Sequence, residues 1–213
     1  SRVDEWIAQQ AALGKAVGLE ITSYEGVSGG NVAPPWIPVI SCVDPYSGAA
    51  HPIPNYWSSA YRTAIRNLIM AFGARYNSDA RVAWIETGTG AYGENQPSDD
   101  RYDNCLINAG YGDQTAWEQV VKDIIAWTRQ AFPNKVIMTK HYPRFRGDSE
   151  RVHIADFAAP LGVGFKGDGL VADDAKVTQR SDPTKSYYLS YKDDPAITYS
   201  DTDGIRVGDG RII

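Results

Sequence analysis

The spacing of apolar residues alternates between two patterns along this chain. Intervals of three and four residues are typical of amphipathic helices, and they predict helices at 4–15, 55–76, 113–132 and 149–159. Short runs of apolar and β-branched residues predict strands at 17–24, 81–87, 135–141 and 161–165. Because helices and strands alternate in order, we expect the strands to pair in parallel through right-handed crossovers.

Two stretches interrupt this alternation. The segment 25–54 is rich in Gly, Pro and Ser and is long for a connection, which is typical of a functional loop, and 36–40 within it is a candidate short strand. The chain becomes polar near its end, where 187–191 is one more candidate strand. These patterns predict one α/β domain at 1–172 followed by a polar irregular segment at 173–213.

A parallel α/β chain leaves two architectures, an open doubly wound sheet and a closed (β/α)₈ TIM barrel. The sequence has no GxGxxG or P-loop pattern after a predicted strand, which disfavours an open sheet that binds nucleotides. Polar and aromatic residues instead follow several strands at their carboxyl ends. In a barrel those ends meet on one face, where active sites are found, so we favour the barrel. A bound nucleotide or flavin would favour the open sheet.

Composition narrows the function classes. The 213 residues contain 21 Lys and Arg against 26 Asp and Glu, with no basic stripe, which argues against nucleic acid as a partner. No apolar run approaches the roughly 20 residues of a membrane helix. Cys42 and Cys105 form either one disulfide or two unpaired thiols. Neither cysteine, nor His51 or His153, has the spacing of metal ligands, and we expect no metal and no cofactor.

The segment 81–95 carries the strongest chemical signal. A buried strand runs into three glycines, which allow sharp turns and close backbone approach. A carboxylate, Glu94, follows at the mouth of the strand, framed by Tyr92 and Asn95. An acid in this position is how a sugar-cleaving site would be built, and the chain's 6 Trp and 13 Tyr suit a carbohydrate cleft.

This segment, Val-Ala-Trp-Ile-Glu-Thr-Gly-Thr-Gly-Ala-Tyr-Gly-Glu-Asn, resembles the fourth-strand segment of β-galactosidase-like and related (β/α)₈ glycoside hydrolases. Further resemblance lies at 35–37, 54–57, 72–77 and 162–165, so that it covers roughly residues 4 to 172. The resemblance implies that the chain supplies about strands three to six of eight. The other strands would come from remaining segments of the same protein or from other subunits.

The resemblance also implies roles. Glu94 matches the acid/base glutamate at the end of the fourth strand, which protonates the leaving oxygen of a glycosidic bond. In those enzymes the nucleophile is a glutamate at the end of the seventh strand, but no glutamate follows Leu170. Asp168 is the nearest substitute, and it is a ligand of a sugar hydroxyl, the nucleophile or a turn aspartate that bonds its own backbone.

Other residues complete the predicted site. We expect His141 and Tyr142, at the end of a strand, to hydrogen-bond a sugar hydroxyl, to position the catalytic acid or to be structural, and Arg144 is a candidate contact for an anionic sugar. Trp36 is either a stacking platform for a sugar or an anchor of the long loop. Glu86 is either a catalytic acid or, as we favour, a buried acid paired with a lysine such as Lys140.

The sequence therefore predicts an extracellular or cell-surface glycoside hydrolase-like domain with a carbohydrate substrate. The alternative is a non-catalytic carbohydrate-binding or structural module of a large surface or filament protein. Fold analogy does not decide between them, because one barrel hosts many functions.

Overall fold

The computed structural model describes residues 1–140, 145–147, 149–167 and 199–201. Its strands are β1 (Val17–Glu20), β2 (Val39–Val43), β3 (Ala50–Pro54), β4 (Val82–Thr87), β5 (Val136–Lys140), β6 (Val163–Gly167) and β7 (Tyr199–Asp201). Its α-helices are α1 (Arg2–Ala12), α2 (Gly26–Gly29), α3 (Ser59–Tyr76), α4 (Asp103–Leu106), α5 (Gln114–Ala131) and α6 (Ser149–Ala158). Short 3₁₀ turns at Asp100–Tyr102 and Ala159–Leu161 and a π-helical turn at Ile107–Tyr111 connect them.

Five strands form one parallel sheet in the order β1-β4-β5-β6-β7. The prediction of a mixed α/β fold with a parallel sheet is therefore confirmed, and the four predicted strands correspond to β1, β4, β5 and β6. Closure of this sheet into a (β/α)₈ barrel stays a prediction. Strand β7 lies in the segment that the sequence analysis treated as irregular, because its three residues are too few for a pattern.

The segment 25–54 contains more regular structure than its loop-like composition predicts. Strands β2 and β3 form an antiparallel hairpin separate from the main sheet. The candidate strand at 36–40 begins only at Val39, because the alternation that buries Ile40 and Cys42 starts there. Asp44 closes the turn by accepting hydrogen bonds from the amides of Tyr46 and Ser47 at 3.0 and 2.8 Å.

One face of the main sheet packs against helices α3 and α5. Helix α3 begins at the N-cap Ser58 and presents Tyr61, Ile65 and Ile69 to the core, and α5 begins at the N-cap Asp113. The sheet contributes alternate residues to the same core, namely Leu19 of β1, Ile85 of β4, Ile137 of β5, and Val163 and Phe165 of β6. The remaining alternate residues of each strand point to the opposite face.

Cys42 and Cys105 form a disulfide that joins strand β2 to helix α4. The sequence left open whether these two cysteines form a disulfide or are unpaired thiols, and in the structure they form the disulfide. This bond fastens the hairpin, which has no strand partner in the main sheet, to the segment that follows β4.

Several sequence predictions lie outside the described residues. These are His141, Tyr142, Arg144 and Asp168, the domain boundary at residue 172 and the candidate strand at 187–191. They stay predictions.

Candidate functional site

The face of the sheet opposite the helices carries four charged side chains. Glu20 of β1 and Glu86 of β4 lie side by side in register, and so do Lys140 of β5 and Lys166 of β6. We call this set of four residues the charged face. They alternate along each strand with the apolar residues of the helix-packed core, which is why they point away from it.

Two ion pairs cross the charged face, and each spans one intervening strand. Lys140 Nζ lies 3.4 Å from Glu20 Oε1, across β4, and Lys166 Nζ lies 2.8 Å from Glu86 Oε2, across β5. The side chains of Lys140, Glu86 and Lys166 are 9%, 12% and 13% exposed. Charges so far from water are tolerated when they are paired. The expected structural ion pair of Glu86 is thus present, but its partner is Lys166 rather than Lys140.

Burial raises the pKa of the Glu20 carboxyl group above its ordinary value. The positive charge of Lys140 opposes this shift, and the negative charge of Glu86 adds to it. Among the charges near Glu20, that of Lys140 has the largest effect in favour of the ionised carboxylate.

Trp84 lies on the same face of β4, two residues before Glu86. Its indole ring covers Gly18 of β1 so closely that a methyl group on Gly18 would overlap it. Its Nε1 donates a hydrogen bond of 3.3 Å to Glu86 Oε1. Gly18 thus leaves room for the indole ring to pack against the neighbouring strand β1, and the indole N–H holds the Glu86 carboxylate through its hydrogen bond.

The loop that follows β4, residues 88–98, is folded by its own backbone. We call it the β4 loop. The amide of Gly90 donates to the carbonyl of Glu94 at 2.8 Å, and the amide of Glu94 donates to the carbonyl of Ala91 at 2.9 Å. Tyr92 and Gly93 have positive φ angles of 56° and 73°, which give the turn its tight reversal. The glycine at the second position lowers the cost of that conformation.

The β4 loop is also attached to the charged face. Lys140 Nζ donates a hydrogen bond of 2.7 Å to the carbonyl of Tyr92, and Gly93 lies so close to the Glu20 carboxylate that a methyl group there would overlap Glu20 Oε1. The amide of Tyr92 donates to the carbonyl of Tyr24 at 2.9 Å, just after β1. The turn that leads into Glu94 is therefore held by β1 and β5 as well as by β4.

Glu94 lies in the β4 loop past the carboxyl end of β4, as the sequence predicts. Its side chain is half-buried, and its Oε2 accepts a hydrogen bond of 3.2 Å from Gln96 Nε2. An open cleft of about 460 Å³ adjoins Gln96 and is lined by Tyr46, Gln96, Asp99, Asp100 and Arg101. The Glu94 carboxylate thus accepts a hydrogen bond from Gln96, a residue that lines an open cleft.

Two residues predicted to contact a sugar, Tyr92 and Asn95, also have structural partners. The Tyr92 hydroxyl donates to Asp99 Oδ1 at 3.2 Å and accepts from the amide of Val27 at 3.1 Å, and its ring packs on Gly26. Asn95 is 1% exposed, and its Nδ2 donates to the carbonyl of Lys140. In this conformation both side chains anchor the β4 loop, and their proposed contact with a sugar stays a prediction.

Trp36 lies in a different part of the structure. It is 65% exposed and borders an apolar cleft of about 250 Å³ formed with residues after β1 and on α3, including Ile21, Val32, Tyr61 and Leu68. Neither Glu94 nor Gln96 is among the described residues that line this cleft. The structure therefore does not bring Trp36 together with the Glu94 carboxylate.

From the sequence we did not expect Glu20 in this region, assigned no role to Lys166 and considered Lys140 only as a partner of Glu86. The available signal was alternation, since a charged residue at every second position of a strand shares a face with its neighbours. Which lysine meets which glutamate depends on strand order and register, and a single sequence does not contain these.

Two further observations concern only the described part of the chain. Within it, no three His, Cys, Asp or Glu side chains gather in the manner of a metal site. None of its helices combines the length and the apolar character needed to cross a bilayer.

Comparisons with known proteins do not identify a family for this chain. No protein-family profile matches this chain, and no curated protein matches it. Among solved structures, the crystal structure of Aspergillus fumigatus Ega3 in complex with galactosamine is similar, with a TM-score of 0.48 and 11% sequence identity. The match covers 92% of this chain and 64% of that one, so the chain spans less than two thirds of its length.

Proposed function

We propose that this chain is part of a (β/α)₈ glycoside hydrolase-like domain that cleaves glycosidic bonds, with Glu94 as the general acid and then the general base. The proposal rests on one observation: a half-buried carboxylate in a braced loop past the end of a parallel strand, hydrogen-bonded to an amide beside an open cleft. The resemblance of this segment to β-galactosidase-like enzymes supports the same role. An acid/base group needs both a fixed position and access to substrate.

The substrate would be a glycan, and the cleft beside Gln96 is the natural place for it. Aspartates and an arginine line this cleft, and such groups hydrogen-bond hydroxyls. His141, Tyr142 and Asp168 remain proposed sugar ligands. The disulfide between Cys42 and Cys105 supports an extracellular or cell-surface location, because such bonds persist in oxidising compartments.

The test is the variant Glu94→Gln, which keeps the shape of the side chain and removes its acid. We expect hydrolysis on a panel of oligosaccharides to fall by roughly a hundredfold or more, the usual contribution of a positioned acid or base. Glu5→Gln on the exposed surface of α1 is the matched control, because it makes the same chemical change at an exposed position. Unchanged hydrolysis in Glu94→Gln would remove Glu94 from the mechanism.

A non-catalytic carbohydrate-binding module is the second candidate. One observation favours it: both carboxylates of the charged face, Glu20 and Glu86, are already paired with lysines, so neither stands ready as the second acid that glycoside hydrolysis requires. Titration calorimetry with the same oligosaccharides separates the two functions. Binding by the wild-type protein without any hydrolysis would favour the module.

A further inference from the structure

We propose that Glu20 and Lys140 form a positioning pair that holds the β4 loop, and with it Glu94, in place over the sheet. This inference rests on the proposed function for the role of Glu94, but the contacts themselves do not depend on it. The described side-chain contacts of both residues with the β4 loop are to its backbone, and through it both would act on Glu94.

The contacts converge on the two residues before Glu94. Lys140 Nζ donates to the carbonyl of Tyr92 at 2.7 Å and lies 3.4 Å from Glu20 Oε1. The Glu20 carboxylate lies directly against Gly93. The Lys140 ammonium group therefore connects strand β5 both to the Glu20 carboxylate of β1 and to the backbone of the β4 loop.

Burial makes this link strong. The Lys140 side chain is 9% exposed, so its hydrogen bond and ion pair act in a low-dielectric environment where unpaired partners are costly. The Lys140 backbone contributes as well, because its carbonyl accepts from the buried amide of Asn95 on the other side of Glu94. Lys140 thus holds the chain on both sides of the proposed acid.

Two features of the structure favour glycine at position 93. Its φ of 73° disfavours any residue with a Cβ, and the Glu20 carboxylate occupies the space that a Cβ would need. Gly14, after α1, has the same φ of 73°, but a Cβ added there would meet no described atom within 4 Å. The two glycines therefore share the same φ and differ in the contact with Glu20.

The first experiment measures urea denaturation midpoints of Gly93→Ala and Gly14→Ala. We expect both variants to unfold at lower urea, and Gly93→Ala at clearly lower urea than Gly14→Ala because it also displaces Glu20. Adding Glu20→Ala should lower the midpoint less in Gly93→Ala than in Gly14→Ala, because it removes the partner of Lys140 in both backgrounds but relieves the overlap with residue 93 only in Gly93→Ala. Equal midpoints for the two glycine variants, or equal effects of Glu20→Ala in the two backgrounds, would overturn the contact.

The second experiment measures hydrogen exchange of the Gly90 and Glu94 amides, whose hydrogen bonds close the β4 loop. In Lys140→Met and Glu20→Gln we expect both amides to exchange at least tenfold faster than in the wild type. Lys15→Met is the control, since it removes an exposed lysine just before β1, and it should change these two rates less than twofold. Equal effects of Lys140→Met and Lys15→Met, or an equal acceleration of the amide of the buried Ile124 in α5 by Lys140→Met, would overturn the positioning role.

The third experiment asks whether the pair acts through the acid. A general acid matters greatly for a poor leaving group and little for an activated one, since only the poor one must be protonated as it departs. On the sugar that the protein hydrolyses, Lys140→Met should therefore lower kcat/KM on the methyl glycoside at least tenfold more than on the dinitrophenyl glycoside. Lys140→Arg, which keeps the cation and its donors, should restore most of the loss.

These readouts separate the two proposals. An equal loss on both glycosides would mean that Lys140 is merely structural and would overturn its role as a positioning residue. Full activity of Glu94→Gln together with faster exchange in Lys140→Met would remove the catalytic role of Glu94 and support the attachment of the loop. Hydrogen exchange needs no substrate, so it decides the attachment even when no glycan is cleaved.

Discussion

Lys166 binds Glu86 at 2.8 Å although the strands that carry them, β6 and β4, are not neighbours. Gly164 of β6 is level with Glu86 in the register of the sheet, and Lys166 lies two residues beyond it along the strand. The long side chain of Lys166 crosses β5 to reach the Glu86 carboxylate. The Lys140–Glu20 pair repeats this arrangement one strand earlier. Staggered lysines thus neutralise a row of carboxylates that would otherwise repel each other, since Glu20 and Glu86 lie side by side.

Lys166→Met should strongly destabilise the fold. It leaves the Glu86 carboxylate without its cation in a position that is 12% exposed, and breaking such a buried pair costs roughly 3 kcal/mol. Urea unfolding monitored by tryptophan fluorescence measures this change. The double variant Glu86→Gln/Lys166→Met should recover part of the loss, because it removes the stranded charge.

Lys15→Met serves as the control for this prediction, because Lys15 is exposed just before β1. We expect its free energy of unfolding to stay within about 0.5 kcal/mol of the wild type, as for most surface substitutions. A similar effect of the two lysine variants would show that the ion pair contributes nothing specific.

The sequence predicted the elements of the sheet well because its strands are locally encoded. Short apolar runs such as Val136 to Met138 form a buried strand in almost any α/β context, and Glu94 had to follow β4 because the glycines end that strand. The position of the candidate acid was therefore predictable. The parallel direction of the strands and the presence of helices that cover the sheet follow from the same alternation.

The partners within the site were not predictable in the same way. Lys166 is 80 residues from Glu86 in sequence, and only the register of three strands brings them together. In the sequence, Asn95 is a residue type that is suited to bind a polar ligand. In the structure it is buried under helix α5, and Trp117 Nε1 donates a hydrogen bond of 3.0 Å to its backbone carbonyl. Such long-range burial depends on tertiary packing, and residue type alone does not reveal it.

Asn95→Ala tests whether this residue anchors the loop. The variant removes the Asn95 donor from the buried carbonyl of Lys140, which keeps the Thr139 hydroxyl at 3.3 Å, and the loss of one such hydrogen bond costs about 1 kcal/mol. We expect that loss in the free energy of unfolding from urea denaturation. Asn134→Ala, at an exposed position before β5, should leave stability nearly unchanged. If Asn95→Ala instead weakened only the binding of a glycan and left stability intact, Asn95 would be a ligand and not an anchor.

The disulfide between Cys42 and Cys105 should contribute substantially to stability. It closes a loop with a sequence separation of 63, and the chain-entropy treatment gives roughly 4 kcal/mol for a loop of this length. We expect Cys42→Ala/Cys105→Ala to lose about that much in urea denaturation under non-reducing conditions. Dithiothreitol should then lower the stability of the wild type and have no further effect on the double variant. Detection of two reactive thiols in the native, unreduced protein would contradict the bond.

Stability should also depend on pH through Asp103, at the start of α4. Burial raises the pKa of its carboxyl group from 3.8 to about 7, the negative charge of Asp100 adds to the shift, and Arg146 opposes it. Because the folded state holds the proton more tightly than the unfolded state, Asp103 contributes most stability below its ordinary pKa. That contribution is lost as the pH rises from 3.8 through about 7.

Asp103→Asn isolates this effect, because the amide is neutral at every pH and other titrating groups cancel in the difference from the wild type. The free energy of unfolding of the variant minus that of the wild type should rise as the pH increases through this range and level off above about 7. Asp100→Asn removes the neighbouring charge, so it should lower the pKa of Asp103 and end the rise at a lower pH. A difference that stays flat with pH would mean that the Asp103 carboxyl titrates alike in the folded and unfolded chains, and that its burial at the start of α4 does not disfavour the charge.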